Sequence, residues 1–313
     1  MKQLLRSTTA YKLFVADAMC ASTAHTTLIV FPDEKYLRML LKECAKAFFL
    51  AKEGSRVEAL IERESFQDCM ILPAMGEKLT ADTASALIEE SALRPLEGDK
   101  KLFVLDAFEN VTPLVQNKLL KVLEEPPRGV YFLLGATAEH ALLPTVLSRA
   151  KRYVVPPFSE EAIEGALKRG RVQGAELREA AAASGGIYSV AESLLAGGGE
   201  EFRLAEAFLA QRDVEKLCRA LGERKEGKAF LAAVKLVLRD LMLLAAGQEH
   251  YCARKTAEMQ RLAAEYPVGA LLAAIGFVTD AERELQFNAN VGQAALVLAL
   301  RIREEKIKWQ KLL

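Results

Sequence analysis

The alternation of apolar and polar segments between residues 100 and 155 predicts strands separated by a helix. Residues 102–105 form a short apolar run that ends at Asp106, and a second run, residues 131–134, follows a Pro-Pro-Arg-Gly turn. Short apolar runs bounded by charges and turns are typical of buried strands in a parallel sheet. Between the two runs, Thr112 and Pro113 suit the N-cap and first position of a helix. This order of elements predicts an α/β domain.

The chain on both sides of this segment extends the same pattern. Further strands are predicted at residues 27–31, 57–61, 69–72 and 153–155, and helices at residues 10–19, 36–50 and 80–93. The dipeptide Pro156-Pro157 predicts the end of the domain because proline interrupts regular hydrogen bonding. We therefore expect a first domain over residues 1–157.

The remainder of the chain has helical spacing throughout. Ser159 suits a helix N-cap, and a run of three glycines at 197–199 predicts a linker after a small helical domain over residues 158–199. Residues 200–313 are expected to form a second helical domain, ending in a long amphipathic helix over 289–313. The predicted fold class is α/β followed by all-α.

Composition limits the classes of function. The 313 residues contain 42 Lys plus Arg and 42 Asp plus Glu, so net charge gives no argument for nucleic-acid binding. Five scattered cysteines without a CxxC pair are typical of reduced intracellular thiols rather than a disulfide framework. Neither a signal peptide nor an apolar run of 18 residues is recognisable, so a cytoplasmic protein is expected.

Two motifs carry a family resemblance. Residues 117–127 read NKLLKVLEEPP, and residues 142–149 read LLPTVLSR. Together they resemble the clamp-loader branch of the AAA+ proteins, and within it the delta-prime subunits of the bacterial DNA polymerase III clamp loader. The resemblance implies an AAA+ parallel-sheet domain (1–157), a helical lid (158–199) and a helical collar that joins subunits (200–313). Residues 285–290, LQFNAN, resemble a signature of that collar.

The family's nucleotide site is predicted to be degenerate here. Glycines must wrap phosphates with backbone N–H groups, but the first strand is followed by Pro32-Asp33-Glu34-Lys35, which has no glycine and adds two carboxylates. Asp106 matches the Walker B aspartate, while Ala107 occupies the position of the water-orienting glutamate. Residues 222–229 nearly fit a phosphate loop, but they lack its hydroxyl residue and a preceding strand.

Consequently no cofactor and no metal are expected. Some relatives carry a four-cysteine zinc module in the first domain, where only Cys44 and Cys69 lie close to the corresponding region. Thr137 matches the sensor-1 threonine, and no arginine for sensor 2 occurs between Gly185 and Ala191.

Arg149 is the one residue that the resemblance assigns to catalysis. With Pro144, Thr145 and Ser148 before it, Arg149 matches the arginine that points into the nucleotide site of a neighbouring subunit. A guanidinium supplies fixed, permanently charged donors to a γ-phosphate, so it is useful even in a subunit that binds no nucleotide. The alternative is an ordinary surface arginine beside Lys151 and Arg152.

Three functions remain open. The first is a non-catalytic delta-prime-like stator that supplies Arg149 to a neighbouring ATPase subunit while the loader places a sliding clamp on primed DNA. Its partners would be the ATPase subunits and a delta-like subunit, with the clamp and DNA contacted through the complex and no membrane involved. The second is an AAA+-derived scaffold or adaptor outside replication, and the third, less favoured, is an active ATPase subunit of the same fold.

Overall fold

The computed structural model describes residues 1–20, 23–168, 174–197, 199–223, 227–286 and 289–311. The chain divides into two compact units, Met1–Pro157 and Phe158–Leu313. The further division of the second unit at residue 199 stays a prediction.

The first unit is built on one parallel sheet. Its strands are β1 (Thr26–Val30), β2 (Cys69–Leu72), β3 (Lys101–Leu105), β4 (Val130–Ala136) and β5 (Lys151–Val154). They lie in the order β2-β3-β4-β1-β5, and every pairing is parallel. All residues of β1 and β3 are buried, because helices cover both faces of such a sheet.

Seven α-helices accompany the sheet in the described residues of the first unit. They are α1 (Lys2–Ser7), α2 (Thr9–Met19), α3 (Glu34–Phe48), α4 (Arg56–Glu62), α5 (Ala81–Ser91), α6 (Pro113–Glu124) and α7 (Pro144–Leu147). The predicted start of α6 is confirmed, since the Thr112 hydroxyl accepts a hydrogen bond from the Val115 N–H and Pro113 occupies the first turn.

One predicted strand is wrong. Residues 57–61 lie within α4, where the Ser55 side chain caps the helix by accepting a hydrogen bond from the Glu58 N–H. Ile61 is the buried residue of this short helix, and its other apolar side chains are less buried. A run of five residues with four apolar side chains fits a strand or a short helix equally well, and the serine cap decides between them.

The second unit is helical wherever it has regular structure in the described residues. Its helices are α8 (Glu160–Lys168), α9 (Ala175–Ala183), α10 (Tyr188–Ala196), α11 (Glu200–Leu209), α12 (Val214–Gly222), α13 (Lys228–Ala245), α14 (Ala257–Glu265), α15 (Val268–Gln286) and α16 (Val291–Gln310). Leu231, Val234, Leu238 and Leu241 form a buried face of α13, which packs into a core that also includes Ala180, Leu194 and Leu298. The predicted class, α/β followed by all-α, is therefore confirmed.

Candidate functional site

The carboxyl edge of the parallel sheet is the place where ligands bind in open α/β folds. In this chain, the segment after β1 enters α3 without a glycine. Asp33 is buried directly before the helix, and Glu34 lies in its first turn. Negative side chains thus occupy the helix start, where an anion would otherwise be favoured by the helix dipole.

Asp106, the predicted Walker B aspartate, follows β3 at this edge and is held by an arginine of α3. The Asp106 carboxylate lies 3.1 Å from Nη1 of Arg38, which also donates to the carbonyl oxygen of Pro73 at 3.0 Å. Nε and Nη2 of the same guanidinium donate to Glu64 at 2.8 and 2.5 Å. Arg38 therefore joins three segments that follow α4, β2 and β3.

The charges in this cluster change the acidity of its members. The hydrogen bonds that Arg38 donates lower the pKa of Glu64 to about 2, although partial burial opposes this, and Lys42 adds a second cation at 2.8 Å. The same contacts raise the pKa of Arg38. Arg38 could not be identified from the sequence, because its partners are distant in the chain and only the packing of α3 brings them together.

Thr137, the predicted sensor-1 residue, is also bound within the chain. Its backbone N–H and hydroxyl donate to the Oε1 atom of Glu109 at 2.9 and 2.5 Å. Ala107 lies between these groups and Asp106 in a left-handed conformation, with φ of 48°. Asp106 and Thr137 thus each have a partner within the chain.

Arg149 lies just after the one-turn helix α7. Its Nη1 atom donates to the Thr145 carbonyl oxygen at 2.9 Å and to the Ser148 hydroxyl at 3.3 Å. Its Nη2 atom forms an ion pair with Glu124 at 2.8 Å. Thr145, Ser148 and Arg149 therefore contact one another in the structure, and Pro144 begins the helix that positions them. The role of Arg149 in a neighbouring site stays a prediction. Within the described ranges, Arg149 forms neither an ion pair nor a hydrogen bond with Asp106.

The described residues contain neither an evident metal site nor a single membrane-spanning helix. No group of three or more His, Cys, Asp or Glu side chains there is arranged to hold a metal ion. Cys44 and Cys69 are buried, and burial raises the pKa of both thiols. No single described helix is long and apolar enough to cross a bilayer; only α14 and α15 taken together pass that test, and they are bent by 109°.

The end of the second unit exposes apolar side chains. On α16, the exposed ones are Leu296, Val297, Leu300 and Ile307. Trp309 on the same helix lies against Gly269 of α15 and donates from Nε1 to Glu305 at 2.9 Å. Parts of three predicted segments lie outside the described residues: Phe287 and Asn288 of the collar signature, Gly198 of the linker, and residues 224–226 of the near-match to a phosphate loop.

Comparisons with known proteins agree with the motifs. Residues 7–159 match the family model described as DNA polymerase III, delta subunit. The DNA polymerase III subunit delta' of Bacillus subtilis is 30% identical over 129 residues, which cover 39% of this chain and 39% of the relative. The DNA polymerase III subunit gamma/tau of Mycobacterium bovis is 29% identical over 126 residues, 37% of this chain and 22% of the relative. The aligned part thus spans well under two thirds of these relatives.

Among solved structures, a gamma subunit-related protein of DNA polymerase III from Thermotoga maritima aligns with 94% of this chain and 99% of its own. Its TM-score is 0.44 at 18% sequence identity. At this TM-score the fold assignment rests on the sheet and helices described above. The predicted resemblance to delta-prime subunits is confirmed by the family match and the sequence relatives.

Proposed function

We propose, from the match of residues 7–159 to the DNA polymerase III delta family, that this chain is a non-catalytic, delta-prime-like subunit of a clamp loader. It acts as a stator within a polymerase holoenzyme and supplies Arg149 to the ATP site of a neighbouring subunit. The observation that carries the first half of this proposal is the ion pair between Arg38 and Asp106.

An ATPase of this fold needs a free carboxylate for magnesium and a cradle of backbone N–H groups for phosphate. Here the Asp106 carboxylate is paired with a guanidinium 3.1 Å away, whose positive charge opposes the approach of a cation. The start of α3 offers Asp33 and Glu34 instead of glycines. These charges disfavour both magnesium and phosphate, which supports a nucleotide site that is degenerate.

The proposed catalytic contribution is a single charge. Arg149 is about 29% exposed and lies at the end of α7, and Pro144 and Thr145 beside it are exposed. From this position the arginine side chain could extend into the site of another subunit without any movement of the sheet. In the neighbour's site its guanidinium would stabilise the charge that develops on the transferred phosphoryl group.

The remaining parts of the chain are assigned by the same proposal. Residues 158–199 are the lid and residues 200–313 the collar. The exposed apolar side chains of α16 support a packing surface for the collars of other subunits, namely the ATPase subunits and a delta-like subunit. The sliding clamp and primed DNA are contacted through the complex.

The test is ATP turnover by a loader reconstituted with this chain, stimulated by clamp and primed DNA. Arg149→Ala should lower turnover at least ten-fold while the ring still assembles. Arg152→Ala is the matched control, because Arg152 is a nearby, more exposed arginine that pairs only with Glu139 among the described residues. Unchanged turnover in Arg149→Ala would reduce the chain to a passive collar subunit.

A second measurement separates the alternatives. The isolated chain should not bind ATP with magnesium in a calorimetric titration; binding would favour the active-ATPase hypothesis. Failure to assemble with any loader subunit would favour the scaffold or adaptor hypothesis outside replication.

A further inference from the structure

The guanidinium of Arg149 is engaged inside its own chain. The two hydrogen bonds from its Nη1 atom, at 2.9 and 3.3 Å, go back to the α7 turn that precedes it. The Thr145 carbonyl is four residues earlier, so the side chain folds over its own helix. In this conformation the Nη1 and Nη2 atoms, which would bind a neighbour's phosphate, already bind oxygens of their own chain.

The donors of Arg149 are not all satisfied in this conformation. Nη1 donates to two oxygens and Nη2 pairs with Glu124, but Nε is buried and has no hydrogen-bond partner among the described residues. A buried N–H without an acceptor costs free energy. The folded-back conformation is therefore stabilised by the Nη1 hydrogen bonds and the ion pair with Glu124. The ion pair is the strongest of these contacts because both groups are charged.

Glu124 is itself in an unfavourable electrostatic position. It is the last residue of α6, where the partial negative charge of the helix end disfavours a carboxylate. The Arg149 guanidinium 2.8 Å away offsets this. The next residue, Glu125, is also exposed and has no ion pair within the described parts of the chain. Of these two adjacent exposed glutamates, Glu124 alone forms an ion pair with Arg149 among the described residues.

We infer that Glu124 is a resting-state partner of Arg149: it holds the guanidinium against its own chain until a nucleotide phosphate of a neighbouring subunit displaces it. This inference rests on the proposed function of Arg149. A terminal phosphate carries about −1.5 to −2 charge at pH 7 and displaces a carboxylate of charge −1. Engagement is then opposed by the energy of one exposed ion pair.

The size of this effect follows from the exposure of the pair, since the side chains are 29% and 53% exposed. Exposed ion pairs contribute about 0.2–1 kcal/mol, which corresponds to at most about a five-fold change in an equilibrium constant. The contact is broken both when ATP binds and in the transition state. Its removal therefore lowers KM and leaves kcat unchanged.

The experiment uses the reconstituted loader with Glu124→Gln, and with Glu125→Gln as a control of equal charge change. Glu124→Gln should lower the KM for stimulated ATP turnover about two- to five-fold at constant kcat, and Glu125→Gln should change neither. A fall in kcat would overturn the inference, because it would mean that Glu124 supports the engaged arginine instead. An unchanged KM would overturn it as well.

Two further arms separate this inference from the proposed function. Arg149→Ala in the same assay tests the finger: if turnover does not fall, the proposed function fails and the inference with it. If turnover falls but Glu124→Gln is silent, only the inference fails. In the isolated chain, the NMR signal of the Arg149 Nε–H should exchange slowly with water, and Glu124→Gln should accelerate that exchange; equal rates would contradict the resting contact.

Discussion

Replacing Arg38 by methionine should destabilise the first unit in a pH-dependent manner. Arg38 contacts Glu64, Asp106 and the Pro73 carbonyl, and its side chain is only 14% exposed. Methionine keeps much of the apolar stem and removes every one of these charged contacts. The two carboxylates then remain partly buried without their shared cation, which is costly.

The magnitude follows from the acidity of Glu64. A pKa of about 2 in the folded protein, against an ordinary value of 4.5, corresponds to about 3 kcal/mol. Glu64 is 21% exposed and also pairs with Lys42, so screening and the second cation leave about 2 kcal/mol to Arg38. We expect Arg38→Met to lower the free energy of unfolding by about that amount at pH 7.

The sign of the pH dependence is fixed by the direction of the pKa change. Because the folded-state pKa is depressed, the stabilisation is fully present above pH 4.5 and is lost as pH falls towards about 2. The difference between wild type and Arg38→Met should therefore shrink across this interval. Arg63→Met is the control, since Arg63 is exposed and has no ion pair in the part of the chain that the structure describes.

The assay must report on the correct unit. Trp309 is the single tryptophan and belongs to the second unit. Tryptophan fluorescence is therefore not a probe of unfolding of the first unit. Hydrogen exchange of peptides from β1 and β3 reports on the stability of the first unit. It is measured at pH 7 and, in a denaturant series, at lower pH. Equal destabilisation at pH 7 and pH 3, or a loss below about 0.5 kcal/mol at pH 7, would refute the reasoning.

Three other predictions concern packing, burial and charge. Gly292→Ala should destabilise the second unit by about 1–3 kcal/mol, seen in urea denaturation followed by tryptophan fluorescence, because the new Cβ would lie 2.3 Å from the Cys218 carbonyl oxygen. A thiol reagent at pH 8 should label the exposed Cys20 at once and Cys44 only after unfolding, since burial raises the pKa of the latter; rapid labelling of both would contradict this burial. Arg254→Met should cost about 3 kcal/mol in the same denaturation assay, because two carboxylates that are each about 12% exposed or less lose their cation; a neutral result would show that these pairs do not contribute.

Much of the fold was predictable because local patterns determine it. The strand that ends at Asp106 and the helix that starts at Pro113 follow from apolar runs, a threonine cap and a proline, all within a few residues. The short helix α4 was predicted as a strand because its few apolar residues do not distinguish the two periods. The serine cap at residue 55 was the available signal.

The candidate site was only partly predictable. Thr145, Ser148 and Arg149 could be proposed from the sequence because they belong to one continuous motif, and their mutual contacts are local. The partner Glu124 lies 25 residues earlier, and Arg38 lies 68 residues before Asp106, so neither pair leaves a local pattern in the sequence. Charged side chains meet across such separations only after the sheet and its helices are packed.

The contacts of Arg38 with Glu64, Pro73 and Asp106 also restrict how this fold can evolve. One guanidinium connects segments at residues 64, 73 and 106, so its removal alone weakens the scaffold. A glycine loop introduced while Arg38 remains would set that guanidinium where magnesium must bind. If the proposed function holds, an active nucleotide site would therefore require several substitutions together, because each one alone would weaken the scaffold or bring no activity. Under the proposed function, the ion pair between Arg38 and Asp106 makes it difficult for the subunit to evolve into an active ATPase.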